Sequence, residues 1–582
     1  MIFYSIMFMS RKKILFSVAA AGVCVKLVEF MVWQASVFRY YNFVPGLDMA
    51  TLLRFSEWGT PGNGFFLTPH RALIAAFWKL NGHTHFVPGI VAVQALFGIL
   101  GAVLCADLAL KFCRRDKVAA FCCGGFYLLY GPFFIYEFSV LQEALSLNLI
   151  LLAFHAAVSA RRCRGFIWAG IALGLCVVGR PTAFLFVPLM LGFMAYREFK
   201  TRRRPRREAA KRLLPTLGGA LAVLCLVSVA NRSFGGNWNC FFNVMPYSLE
   251  YNAGAPGTAA DVSDHPHLRM LLNAVERAPQ MFLPTEVPEN LNYCFLCKKI
   301  PLLNALPGPG LLLPLALGGI VLMLAKPRRP AALALLPILT LVLPLCVREP
   351  IGRYRLTLIP YFILCAGYLV HTAKSRPQPR KFTVALAAAT FGIALTLPGY
   401  RSDLLRIDDY LAYSMAMEHP NGGNPTTESV GVLADGWAQG SYRSNRLGLE
   451  LYFRLEKLGD RDAAYRVLIQ GEESSPEKDI YRYYLAFRLA DAGNFGGAEK
   501  LLAQIDPGKL GELAGNYHFL YAEMLLRRGA AAQAAEHYRK ALTLLDPGSP
   551  FAVRSREVLT RLVPAPNAAG ASRPAPPPPA GP

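Results

Sequence analysis

Apolar residues run in long, nearly uncharged blocks over the first two thirds of the chain and in short amphipathic stretches over the last third. Leu311 to Ala325 and Phe382 to Leu397 contain no charged side chain. With flanks, such blocks approach the ~20 residues a helix needs to cross a hydrocarbon core. The pattern predicts eleven spans, beginning near 14–33, 86–110, 118–136 and 139–158. The block Phe166–Tyr196 is too long for one span and holds Gly179-Arg180-Pro181. Proline interrupts the helix ladder and arginine is costly in lipid, so this block is read as two spans. The rest fall near 213–231, 307–325, 331–347, 356–373 and 382–398. The expected fold is all-α: a polytopic membrane domain over 1–398, then an α-solenoid.

The polar tail carries a repeat. Gly459, Gly493 and Gly529 recur at spacings of 34 and 36, each followed five residues later by Ala464, Ala498 or Ala534. Asp506-Pro507 and Asp546-Pro547 close the second and third units. Glycine suits the turn and alanine the contact between paired helices. The last unit resembles a tetratricopeptide repeat, and the first two are looser. The expected divisions are a linker over 399–439, repeats over 440–560 and a disordered Pro/Ala-rich end over 561–582.

The 582 residues are 54% hydrophobic with a net charge of +23. In a soluble chain that excess would suggest nucleic acid. Here the basic residues gather in short loops between spans, such as Lys111–Lys117, Arg161–Arg164 and Arg197–Arg212. That is the positive-inside pattern, so the charge reports topology, contact with anionic lipid and no nucleic-acid partner. It predicts a multi-pass inner (plasma) membrane protein with a cytoplasmic N-terminus and an extracytoplasmic tail. The N-terminal run, with Lys26 and Glu29 inside it and no clear cleavage site, reads as an uncleaved first span. Long external loops are expected at 34–85 and 232–306. One multi-basic segment, Arg348–Arg355, falls outside under this count. Cys240, Cys294 and Cys297 fall in the second long loop, where both a disulfide and free thiols are open.

Polar groups against a membrane face are expensive, so their distribution is informative. Asp48, Glu137, Glu143, Arg180, Arg348, Glu349, Arg353 and Arg355 all map to the outer side. Such a set suits a lipid-linked sugar phosphate: arginines hold the phosphate, and a carboxylate takes the proton of an incoming hydroxyl. Asp48 is the candidate base, and Arg353 and Arg355 the candidate clamp. Arg180, Glu137, Glu143 and His70 are the further candidates for substrate binding. Simpler roles stand beside these. Asp48 could cap the helix it opens. Glu143 and Arg180 could be a buried pair, and His70 could sit at the interface.

With these residues in view, the chain resembles membrane glycosyltransferases of the GT-C superfamily, near the protein O-mannosyltransferases (glycosyltransferase family 39) with tetratricopeptide tails. The stretches are PGLD (45–48), YEFSVLQEAL (136–145), GRPTAFLFVP (179–188), EVPENLNY (286–293) and GRYRLTLIP (352–360). The resemblance covers about 14–398. It implies inverting transfer from a dolichyl- or polyprenyl-phosphate sugar, with Asp48 matching the catalytic first-loop acid and Arg353 and Arg355 the arginines before the late span. It also implies that Glu137, Glu143 and Arg180 line the cavity. Met49 stands where many relatives have a second acid, and Thr68-Pro69-His70 where many have a His-Pro-Pro-like element. No cofactor or metal is therefore assigned, although some relatives bind a divalent cation.

Two alternatives accompany this expectation. One is an O-oligosaccharyltransferase or O-antigen ligase acting on a diphosphate-linked oligosaccharide. The other is a non-catalytic envelope scaffold that recruits protein partners through its repeats. A transporter is less well supported, since no duplicated halves are visible. The expected acceptor is a protein or glycolipid; the sugar is not readable from the residues.

Overall fold

The computed structural model describes residues 9–57, 68–81, 86–201, 205–233, 291–325, 333–347, 352–375, 386–387, 390, 407–438 and 445–562. The chain divides into two compact units, Met1–Asp409 and Tyr410–Pro582.

Among the described residues of the first unit, six helices are long and apolar enough to cross a membrane. They are Arg11–Ala35, Phe86–Phe112, Gln142–Ser159, Arg207–Ser233, Pro301–Leu324 and Arg353–Lys374. The expected span at 118–136 is instead two helices, Lys117–Leu129 and Gly131–Glu137, bent by 51°. Pro132 lies in the first turn of the second, where its missing N–H costs nothing but cannot prolong the helix before it. The block 166–196 also breaks where proline sits: Cys163–Gly179 ends at Arg180, and Phe186–Tyr196 follows a short turn. The segment expected at 331–347 gives the 13-residue helix Leu335–Val347. Nearly all of the last expected span, 382–398, lies outside the described residues. Among the described residues, six helices reach spanning length and several apolar helices are shorter.

Lipid-facing and protein-facing surfaces separate clearly on the helix Arg206–Ser233. Leu214, Leu217, Leu221, Leu226 and Val229 are exposed, a continuous apolar stripe that would be a liability in water. Its other side meets Cys163–Gly179 through Gly170, Gly174 and Gly219, where an added methyl would strike the backbone or side chains of the facing helix. Small residues let membrane helices approach this closely.

At the ends expected to be cytoplasmic, charges tie the helices together. Asp107 accepts from Arg11 Nε at 2.8 Å and Lys111 Nζ at 2.8 Å, and His155 Nε2 lies 2.9 Å away. Asp116 accepts from the backbone N–H groups of Val118 and Ala119 and meets His371 Nδ1 at 3.0 Å. Each aspartate joins elements far apart in sequence.

The second unit is a succession of helices from Ile407–Glu418 to Pro550–Leu562. From Thr427 onward each described helix packs on the next, an order of contacts typical of a solenoid. Gly459, Gly493 and Gly529 have φ of +82°, +80° and +86°, a left-handed conformation that side chains disfavour. Ala464, Ala498 and Ala534 are fully buried. The structure differs from the expected linker at 399–439: helices Ile407–Glu418 and Thr427–Ala438 occupy much of it, joined by Ser429 donating to Glu418 at 2.9 Å.

Candidate functional site

The first segment expected to be external folds into short pieces. A 3-10 helix, Val37–Phe43, leads into Pro45-Gly46, and Gly46 takes φ +89°. That left-handed turn is open to glycine at little cost. It starts the helix Asp48–Glu57 with Asp48 at its first residue, where a carboxylate meets the positive end of the helix dipole.

Arg353 comes from the far end of the membrane unit. GRYR, expected as the close of an external loop, is already helical as Gly352–Arg355 and runs into Ile359–Ser375. There Arg353 Nη1 donates to Asp48 Oδ2, joining residues 305 positions apart. Arg353 Nε also lies 3.9 Å from Glu143 Oε1, in the first turn of Gln142–Ser159. The side chains grade inward, with Asp48 48% exposed, Arg353 14% and Glu143 1%. One guanidinium therefore stands between a half-exposed carboxylate and a buried one.

An aromatic ring completes the cluster. Arg353 Nη2 donates to the Tyr354 hydroxyl at 3.2 Å. The guanidinium carbons of Arg353 and Arg180 lie 5.0 Å and 4.8 Å from the centre of the Tyr354 ring. Arg180 and Arg355 are both buried. Arg180 reaches the ring from the Gly179-Arg180-Pro181 break, so the interruption in the apolar block delivers a side chain to this place.

The segment before Glu143 is anchored to the first external stretch. Asn42 Oδ1 accepts from the Val140 N–H at 2.7 Å, and Gln94 Nε2 donates to the carbonyls of Ser139 at 3.2 Å and Leu141 at 3.0 Å. These bonds satisfy irregular backbone that is buried in protein and would otherwise be costly. The sequence reading did not single out Tyr354, Asn42 or Gln94. The tyrosine flanked by two arginines in GRYR was the available signal.

Glu137 takes a different place. Lys26 Nζ lies 2.7 Å from Glu137 Oε2 and 2.7 Å from Glu29 Oε2, and all three residues are buried. The expected Lys26–Glu29 pair is present, with Glu137 added to it. One cation between two acids braces Arg11–Ala35 against Gly131–Glu137. A methyl at Gly98 would collide with the Glu137 carboxylate.

His70 is buried, and neither ring nitrogen has a hydrogen-bond partner among the described residues. Burial, aided by the charge of Arg71, lowers its pKa from 6.5 to about 4. Arg348, Glu349 and Cys240 lie outside the described residues. Burial pushes the Cys297 thiol up to about 11. No three His, Cys, Asp or Glu residues converge as a metal-binding group among the described residues.

No family model and no curated protein matches the chain. Among solved structures, the chain is similar to ArnT from Cupriavidus metallidurans bound to undecaprenyl phosphate. Identity is 15%, with 91% of this chain and 81% of that one covered at a TM-score of 0.36. A likeness at that score carries no argument.

Proposed function

We propose that this chain is an integral-membrane glycosyltransferase of the GT-C type, near family 39. It would move a sugar from a polyprenyl-phosphate donor to a hydroxyl of a protein or glycolipid on the outer face of the membrane, inverting the anomeric carbon. The observation that carries the reading is the meeting of Asp48 and Arg353, with Glu143 behind and Arg180 beside them. A carboxylate and guanidiniums at the head of lipid-crossing helices are the parts this reaction uses.

In the proposed reaction the acceptor oxygen attacks the anomeric carbon as the bond to the phosphate oxygen breaks. The hydroxyl proton passes to Asp48, and the departing polyprenyl phosphate keeps the bonding electrons. Arg353 and Arg180, with Arg355 on the same turn, balance the charge that grows on that phosphate. Arg353 stands against the carboxylates of Asp48 and Glu143. A phosphate competing for Arg353 loosens its hold on Asp48, so donor binding itself frees the base. Glu143, buried and near Arg353 Nε, keeps that side chain in place during the exchange. His70, neutral near pH 7, contributes polar nitrogens to donor binding.

The test is Asp48→Asn, with transfer followed by mass spectrometry of envelope glycoproteins and glycolipids. Loss of a general base lowers the rate about 10²- to 10⁴-fold. Normal transfer by a normally expressed variant would remove Asp48 from the chemistry. A glycan profile unchanged by loss of the whole gene would remove the transferase reading.

A further inference from the structure

We propose that Tyr354 is a positioning residue that holds Arg180 and Arg353 together as a paired grip for a lipid-linked phosphate. The proposal rests on the transferase reading. Two guanidiniums from distant parts of the chain repel when brought near one another. Something must offset that repulsion, and the choice of partner matters. Asp48 and Glu143 offset part of it on the Arg353 side, but each further carboxylate would cancel charge a phosphate needs. An aromatic face attracts both cations through its quadrupole and adds no formal negative charge. Tyr354 is buried, so water screens the attraction little. Its ring centre lies 4.8 Å and 5.0 Å from the two guanidinium carbons. Its hydroxyl accepts from Arg353 at 3.2 Å, which orients one fork relative to the ring.

The full-length protein in lipid nanodiscs is titrated with undecaprenyl phosphate, and binding is read by native mass spectrometry. Tyr354→Phe retains the ring and is expected to bind within about threefold of wild type, whereas Tyr354→Leu weakens binding about tenfold, or 1.4 kcal/mol. Should the leucine variant fail to fold, phenylalanines carrying one, two or three ring fluorines are placed at 354 instead. Fluorination drains the ring quadrupole with little change of shape. Affinity then falls stepwise with fluorine count, a trend a space-filling ring would not produce. A flat fluorine series in a protein that binds the lipid overturns the role of Tyr354 and leaves the transferase reading standing. A wild-type protein that does not bind undecaprenyl phosphate overturns the lipid-phosphate site and this inference with it.

Discussion

Single residues carry the proposed chemistry, and His70 shows how burial shapes what one can do. Its imidazole is buried, and neither nitrogen is hydrogen-bonded among the described residues. A buried polar group in that state costs about 1–3 kcal/mol unless a ligand satisfies it. Replacing His70 by leucine is therefore expected to leave the melting temperature at pH 7 unchanged or raised, while the donor KM rises about tenfold through a lost hydrogen bond. An unchanged KM would make His70 a packing residue. The pH dependence has a definite sign. The folded pKa, about 4, lies below the ordinary 6.5, so the unfolded chain binds more protons between those values. Stability then falls as pH drops through that window, by up to about 3 kcal/mol for a fully buried group. Melting curves of wild type and His70→Leu from pH 7 to pH 4 should diverge accordingly.

Asp48 and Arg353 were legible as candidates because each is a charge at a place where charge is costly. Their side of the membrane follows from counting spans and basic loops. Glu137 shows where that kind of reading stops. Periodicity and charge place a residue on a side but do not choose its partner. Glu137 and Glu143 were both expected at the outer end, yet one joins Lys26 and the other approaches Arg353. What separates them is the turn between Gly131–Glu137 and Gln142–Ser159, held by Asn42 and Gln94 from elsewhere in the chain. The burial of His70 was not legible for the same reason, since it depends on neighbours from other elements.

At the scale of elements, two kinds of contact set stability. The Lys26–Glu29–Glu137 brace lies between helices, and removing its one cation leaves two buried acids without it. Lys26→Met is expected to cost about 3–5 kcal/mol. The triple change Lys26→Met, Glu29→Gln, Glu137→Gln should recover most of that loss. Chemical denaturation in detergent measures both; a single change as stable as wild type would mean the brace is dispensable. In the second unit the turn glycines do comparable work through the backbone. Gly493 takes φ +80°, and a left-handed non-glycine residue costs about 1–2 kcal/mol. Gly493→Ala should speed hydrogen exchange in Lys478–Asp491 and Phe495–Leu502, while Gly496→Ala, which meets open space, should not. The glycine spacing pointed to these turns before any coordinates. The bend at Pro132 and the short Leu335–Val347 helix were harder to foresee, because hydropathy sums over a window and a single proline barely changes the sum.

At the scale of the whole molecule, the two units pose one question: what a helical array contributes to the proposed membrane transferase. The first unit holds every candidate site residue, from Asp48 to Arg355, within Met1–Asp409. The second holds the glycine-punctuated helices of the proposed tetratricopeptide array, and arrays of that kind commonly present a concave surface to a partner. If the array captures a protein acceptor, it raises the acceptor's effective concentration at the site without entering the chemistry, a gain that commonly reaches about 100-fold. Deleting 440–560 should then reduce transfer to a protein acceptor by that order while leaving transfer to a small, freely diffusing alcohol acceptor at its original rate. Undecaprenyl phosphate binding reports in the same preparation that the membrane unit remains folded. A scaffold would behave differently, since no transfer to a small alcohol would occur with or without the array. Equal loss on both acceptors with lipid binding intact would place the array in the chemical step itself and would contradict the division of labour proposed for the two units.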